Sequence, residues 1–88
     1  MKLYIIHCGF YDEEISEGIY EFHVNIPIAA NGVDEAKQKV RMDLAFQKKK
    51  MHIDGIQEIS SVGGHQIELK PSMRSNETII ANHLHRDL

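Results

Sequence analysis

Lys2-Leu3-Tyr4-Ile5-Ile6-His7-Cys8-Gly9-Phe10 places apolar side chains at both parities, with Leu3, Ile5 and His7 on one side and Tyr4, Ile6 and Cys8 on the other. A strand patterned this way (residues 2–10) wants cover on both faces, which puts it in the middle of a sheet. Residues 11–18 then form a polar, acidic connection too long for a tight turn. Over residues 19–29 the alternation is strict: Tyr20, Phe22, Val24, Ile26 and Ile28 face one way, and Glu21, His23, Asn25 and Pro27 the other. This is the pattern of a half-buried strand. Pro27 has no N–H for a ladder, so the strand belongs at a sheet edge or ends in a bulge there.

Ala29-Ala30-Asn31-Gly32 breaks the alternation, and residues 33–48 read as one long helix, with Asn31 or Asp34 as cap and Asp34 and Glu35 near its positive end. Ala36, Val40 and Leu44 recur four apart, an apolar stripe suited to a sheet face. Gly63-Gly64 can supply the positive φ angles of a type I′ turn, so residues 57–69 read as a hairpin. Ile53, Ile56 and Ile59 do not share one parity: either Gly55 marks a bulge or the strand starts only after it. Pro71 and Ser72 end the hairpin. From Ser75 to Leu88, the spacing of Ile80, Leu84 and Leu88 fits a short C-terminal helix, while Thr78-Ile79-Ile80 suits a strand equally well.

This order predicts a single α+β domain over residues 1–70, followed by a C-terminal segment over 71–88. The expected architecture is a four-stranded mixed sheet with the first strand central and one long helix across a face. A β-grasp-like arrangement satisfies these constraints, as do other mixed four-stranded folds. One helix shields one face. The bare flank of the central strand must then meet the C-terminal segment or a second copy of the chain, and a homodimer is expected.

Composition bounds the function. Eighty-eight residues with 42% hydrophobic and 26% charged side chains make one globular domain, excluding collagen-like, coiled-coil and disordered chains. A net charge of -3 and a pI near 6.0 argue against a generally basic nucleic-acid binder. The lone Cys8 can form no internal disulfide, as suits a reducing cytoplasm. His7 interrupts the apolar opening, so a secretory signal is not expected, and no apolar run is long enough to span a membrane. No motif implies a cofactor.

Six histidines, His7, His23, His52, His65, His83 and His85, raise metal and acid/base readings. His52 and Asp54 flank Ile53, so in an extended segment both leave the same face and the carboxylate can orient the imidazole, as a general base requires. The competing reading makes Asp54-Gly55 turn or bulge chemistry. His83 and His85 would chelate from a strand but diverge on a helix, and a solvated tail is the simpler reading. Cys8, on a central strand, is expected to be an inert small hydrophobe. Charge is segregated: Asp12, Glu13, Glu14, Glu17 and Glu21 precede a basic run of Lys37, Lys39, Arg41, Lys48, Lys49 and Lys50 broken only by Asp43. Lys48-Lys49-Lys50 can receive a phosphate or an acidic partner, or simply complement the negative end of a helix. The glycine pair lies in a hairpin and cradles no phosphate, and Phe46 alone offers no stacking platform for nucleic acid.

Lys50-Met51-His52-Ile53-Asp54-Gly55-Ile56-Gln57-Glu58-Ile59, with Met1 to His7 and the Glu35-Ala36-Lys37 helix start, resembles an uncharacterised bacterial family, the domain of unknown function numbered fifteen forty-three. The likeness runs from Met1 to about Lys70, and the His-x-Asp-Gly segment is its most recognisable part. That family has no assigned activity, so the resemblance implies no site. Some members hold two copies of the domain in one chain, which implies self-pairing for a single copy.

The expectation is therefore a non-enzymatic, cytoplasmic binding or regulatory module. It would pair with itself and contact a protein or small anionic ligand through His52, Asp54, Lys48, Lys49 and Lys50, with no cofactor, nucleic-acid or membrane partner. The alternatives are a small enzyme using His52 as base with Asp54 as its orienting partner and His7 nearby, or metal binding by His83 and His85.

Overall fold

The computed structural model describes residues 1–73 and 76–88, the side chains of Ser16 and Asp87 excepted. In chain order the elements are β1 (Lys2–Tyr11), α1 (Glu13–Ser16), β2 (Glu21–Ala30), α2 (Val33–Arg41), α3 (Leu44–Lys48), β3 (His52–Ile59), β4 (Ser61–Val62) and β5 (His65–Gln66), then a 3-10 turn over His85–Asp87. The sheet order is β2-β1-β3, with β1 in the middle, and both pairings are antiparallel. Pro27 lies on an edge strand, where a missing donor is tolerated. Among the described residues no helix is long and apolar enough to cross a membrane.

The even positions of β1 make the core: Tyr4, Ile6, Cys8 and Phe10 are buried with Ala30, Ala36, Val40, Phe46 and Met51. Phe22, Ile26 and Ile28 of β2 and Ile53 and Ile56 of β3 pack around them. The ill-matched parity of Ile53 and Ile56 is resolved by a bulge. Cys8 faces Ile53 and His7 faces Gly55, so Asp54 is the extra residue, and Ile56, opposite Ile6, returns to the core side.

Three expectations are corrected. The sheet is three-stranded and wholly antiparallel, not four-stranded and mixed, so a β-grasp-like arrangement does not form. Gln57 to Ile59 belong to β3, and the Gly63-Gly64 turn, with φ of 55° and 82°, joins the two-residue strands β4 and β5 in a separate ribbon. The ribbon carries only Ile67 and Leu69 as half-buried apolar side chains, too little to hold a fourth strand on the sheet.

The single helix over 33–48 is two helices. Asp43 is extended (φ −65°, ψ 132°) and its carboxylate accepts from the Phe46 N–H at 3.0 Å, capping a new helix. On an unbroken helix Phe46 would point about 120° away from Val40. The break turns its ring into the core and leaves Leu44, the expected end of the stripe, 82% exposed. Burying the larger aromatic side chain outweighs continuing the helix.

The expected C-terminal helix begins at Ser75, outside the described residues. From Asn76 onward only the 3-10 turn is regular, and Ile80, Leu84 and Leu88 are 61%, 54% and 90% exposed. A short segment whose apolar side chains are mostly exposed does not hold a helix in water. The radius of gyration, 15.1 Å, exceeds the roughly 12 Å of a close-packed chain of this length, in keeping with a largely exposed ribbon and tail. In urea unfolding, Phe46→Ala is expected to cost about 3–5 kcal/mol and Leu44→Ala less than about 0.5 kcal/mol. Equal losses would mean that the helix is continuous after all.

Candidate functional site

The two faces of the sheet differ. Even positions of β1 lie under the helices, whereas Leu3, Ile5, His7, Gly9 and Tyr11 look outward. Register places Glu21, His23, Asn25, Pro27 and Ala29 of β2 beside them, and His52, Asp54, Gln57 and Ile59 of β3 on the other flank. This open face is apolar at one end (Leu3, Ile5, Pro27, Ala29, Ile59) and polar at the other.

At the polar end, His23 and His52 both stand opposite Gly9, on the strands flanking it. Their rings reach inward across the gap. His23 Nε2 lies 3.0 Å from Glu21 Oε1 and 3.0 Å from Asp54 Oδ2. His52 Nε2 lies 2.9 Å from the same Glu21 oxygen and 3.2 Å from Asp54 Oδ1. Two imidazole nitrogens and two carboxylates thus alternate around one centre. Glu21 is held from behind by Tyr11, whose hydroxyl donates to Oε2 at 3.2 Å, and that bond raises the phenol pKa. His7 donates through Nδ1 to Asn25 Oδ1 at 2.8 Å and stacks on His23, ring centroids 4.7 Å apart.

Gly9 makes the convergence possible. Its φ is not among the positive values, so the strand does not need glycine for its backbone. It needs the space: a Cβ there would collide with Glu21 Oε1, with His52 Nε2 at 2.6 Å and with Asp54 Oδ2 at 2.7 Å. Glycine inside a strand weakens it and often marks the close approach of another group. The bulge completes the cluster by letting Asp54 join the outward face while Ile53 and Ile56 both stay in the core.

Of the residues singled out in the sequence, His52 and Asp54 meet here, and His7 lies at the margin. Both carboxylates face the same nitrogen of His52: Glu21 Oε1 is its hydrogen-bond partner at 2.9 Å, and Asp54 Oδ1 lies 3.2 Å away. His23 was one of the six histidines noted, but neither it nor Glu21 nor Gly9 was connected with His52 and Asp54. The strict alternation of β2 already put Glu21 and His23 on one face, but the register joining that face to His52 is not written in either strand alone. Cys8 is buried, and burial raises its thiol pKa, so it supplies no thiolate to the cluster.

The three lysines lie elsewhere. Lys48 ends α3, and Lys50 turns the chain into β3 with a left-handed φ of 51°. They line a cleft of about 400 Å³ with Tyr11, Asp12, Glu13 and Glu14, so a small anion would meet as many acids as bases. Lys49 bonds Asp12 Oδ2 at 3.0 Å and sits 5.2 Å from the Phe10 ring centroid. His83 is exposed in the tail and His85 begins the 3-10 turn. Among the described residues neither joins a set of three ligating groups.

The fold and site define a small α+β domain with one covered sheet face and a histidine–carboxylate cluster on the other. Residues 20–69 match the family model described as Domain of Unknown Function (DUF1543), and the chain belongs to that family. The match spans β2 to the ribbon and includes all four cluster side chains. No curated protein and no solved structure matches the chain.

The hydrogen bond from Lys49 holds the Asp12 carboxyl below its ordinary value of 3.8. A lowered carboxylate pKa stabilises the folded state above the ordinary value, and that contribution is lost as pH falls through the lowered one. Lys49→Met is therefore expected to lower the melting temperature at neutral pH, by a margin that narrows as pH drops below 3.8. Thermal unfolding followed by circular dichroism checks this; a margin that does not narrow contradicts the tether.

Proposed function

We propose that this chain is a non-enzymatic binding module that works through the open face of its sheet. The apolar end pairs with a second copy, and the polar end holds the ligand. The observation that carries this reading is the division of one uncovered face into two chemically distinct halves.

Leu3 lies between Ala29 and Ile59 across the sheet, and Ile5 between Pro27 and the exposed Gln57, so the apolar side chains cluster around Leu3, Ile5 and Pro27. Leu3, Ile5, Pro27 and Ile59 are only half-buried. A patch confined to one end is self-complementary under a twofold axis, since two copies can lay their apolar ends together and leave both polar ends open. At the outer edge of β2, residues 76–78 line a cleft with Pro27, Ile28, Ala29 and Lys39, and the next two, Ile79 and Ile80, are exposed.

Light scattering at micromolar concentration is expected to give twice 10.1 kDa, and Ile5→Glu to return the mass to 10.1 kDa without unfolding the domain. A wild-type monomer would overturn the pairing.

A further inference from the structure

We infer that the Glu21–His23–His52–Asp54 cluster is a binding site for a divalent first-row transition-metal cation, of the zinc type. The inference rests on reading the polar end of the open face as the ligand site and names the ligand's chemistry.

The donor set favours a metal of intermediate softness. Imidazole nitrogen suits zinc, nickel, copper and iron, whereas magnesium and calcium take oxygen ligands almost exclusively. Two imidazoles mixed with two carboxylates match the first group.

The spacing agrees. Ligand atoms about 2.0–2.2 Å from a common ion stand about 2.9–3.5 Å apart, from a right angle between bonds to a tetrahedral one. The four nitrogen–oxygen separations here are 2.9, 3.0, 3.0 and 3.2 Å. The same atoms also pair as hydrogen bonds, His52 Nε2 with Glu21 Oε1 at 2.9 Å and His23 Nε2 with Asp54 Oδ2 at 3.0 Å, so a metal binds here by displacing the protons that bridge them.

Two three-ligand sets share Asp54: Glu21–His52–Asp54 and His7–His23–Asp54, each with ligating atoms within 4.8 Å of one another. The first is the better aimed. His7 and His23 stack with an interplanar angle of 2°, so their in-plane lone pairs run side by side and do not meet at a point. His23 turns its Nε2 toward Glu21 and Asp54 and stands beside the first set, whose mutually close ligands are Glu21, His52 and Asp54.

Gly9 is the independent sign of a site. A central strand loses packing at a glycine whose backbone does not require one, and the space this leaves lies under the converging atoms. Tyr11, bonded to the far oxygen of Glu21, is the positioning residue that keeps Oε1 turned toward both histidines.

The full chain, stripped with a chelator, is titrated with Zn²⁺, with Co²⁺ as an optical reporter and Mg²⁺ as comparison. One equivalent of Zn²⁺ per chain is expected, with visible Co²⁺ absorption and no comparable Mg²⁺ affinity. His52→Gln and Asp54→Asn should each weaken Zn²⁺ binding by more than about tenfold, the least that losing even a supporting group costs. Gly9→Ala, which removes no ligand, should also weaken it, and its circular dichroism shows whether the fold persists. The pair His83→Ala and His85→Ala should leave affinity unchanged. No retained Zn²⁺, equal affinity in the His52, Asp54 and Gly9 variants, or loss only in the tail variant would each overturn the site. Light scattering on the same samples separates the two readings: a dimer that takes up no Zn²⁺ on titration sinks the cation, and a monomer that binds Zn²⁺ sinks the pairing.

Discussion

A single layer of helix can cover only one side of a sheet, and β1 carries apolar groups on both. Every other feature accommodates that constraint. The even side chains, Tyr4 to Phe10, take the covered face and with Val40 and Phe46 form the core. The odd side chains are left outward, where Leu3 and Ile5 remain half-buried and His7 reaches water. A domain of this size has little apolar area in reserve, so a greasy outer row is a cost unless something closes over it.

The polar half of that face depends on two local departures from regular strand. The bulge at Asp54 shifts the parity of β3, which keeps Ile53 and Ile56 inside while aiming a carboxylate outward. Gly9 removes the one side chain that would keep the outer strands' functional groups apart. Neither helps the sheet by itself. Each lowers strand regularity, and together they produce one arrangement, the meeting of Glu21, His23, His52 and Asp54.

Much of this was legible in the sequence, for identifiable reasons. The two-sided pattern of residues 2–10 places β1 centrally, and the parity conflict among Ile53, Ile56 and Ile59 leaves two readings, a bulge near Gly55 or a later strand start, of which the bulge forms, at Asp54. His52 and Asp54 share a face by spacing alone. The break at Asp43 was not legible as a break, because Asp43 suits the polar face of a long helix until the burial of Phe46 is weighed against that of Leu44. The sheet stops at three strands because the return arm of the hairpin is mostly polar, which the turn signal at Gly63-Gly64 overshadows. Glu21 and His23 could not be joined to His52 and Asp54 because that meeting is set by the β1–β2 and β1–β3 registers, which are long-range properties.

The most direct test of an outer face split into a closed apolar end and an open polar end is nuclear magnetic resonance of the chain with a soluble paramagnetic chelate. The methyl signals of Leu3, Ile5 and Ile59 should be shielded from broadening, while the ring protons of His23 and His52 broaden. Uniform broadening across both ends, in a chain that stays folded, would contradict the division of that face.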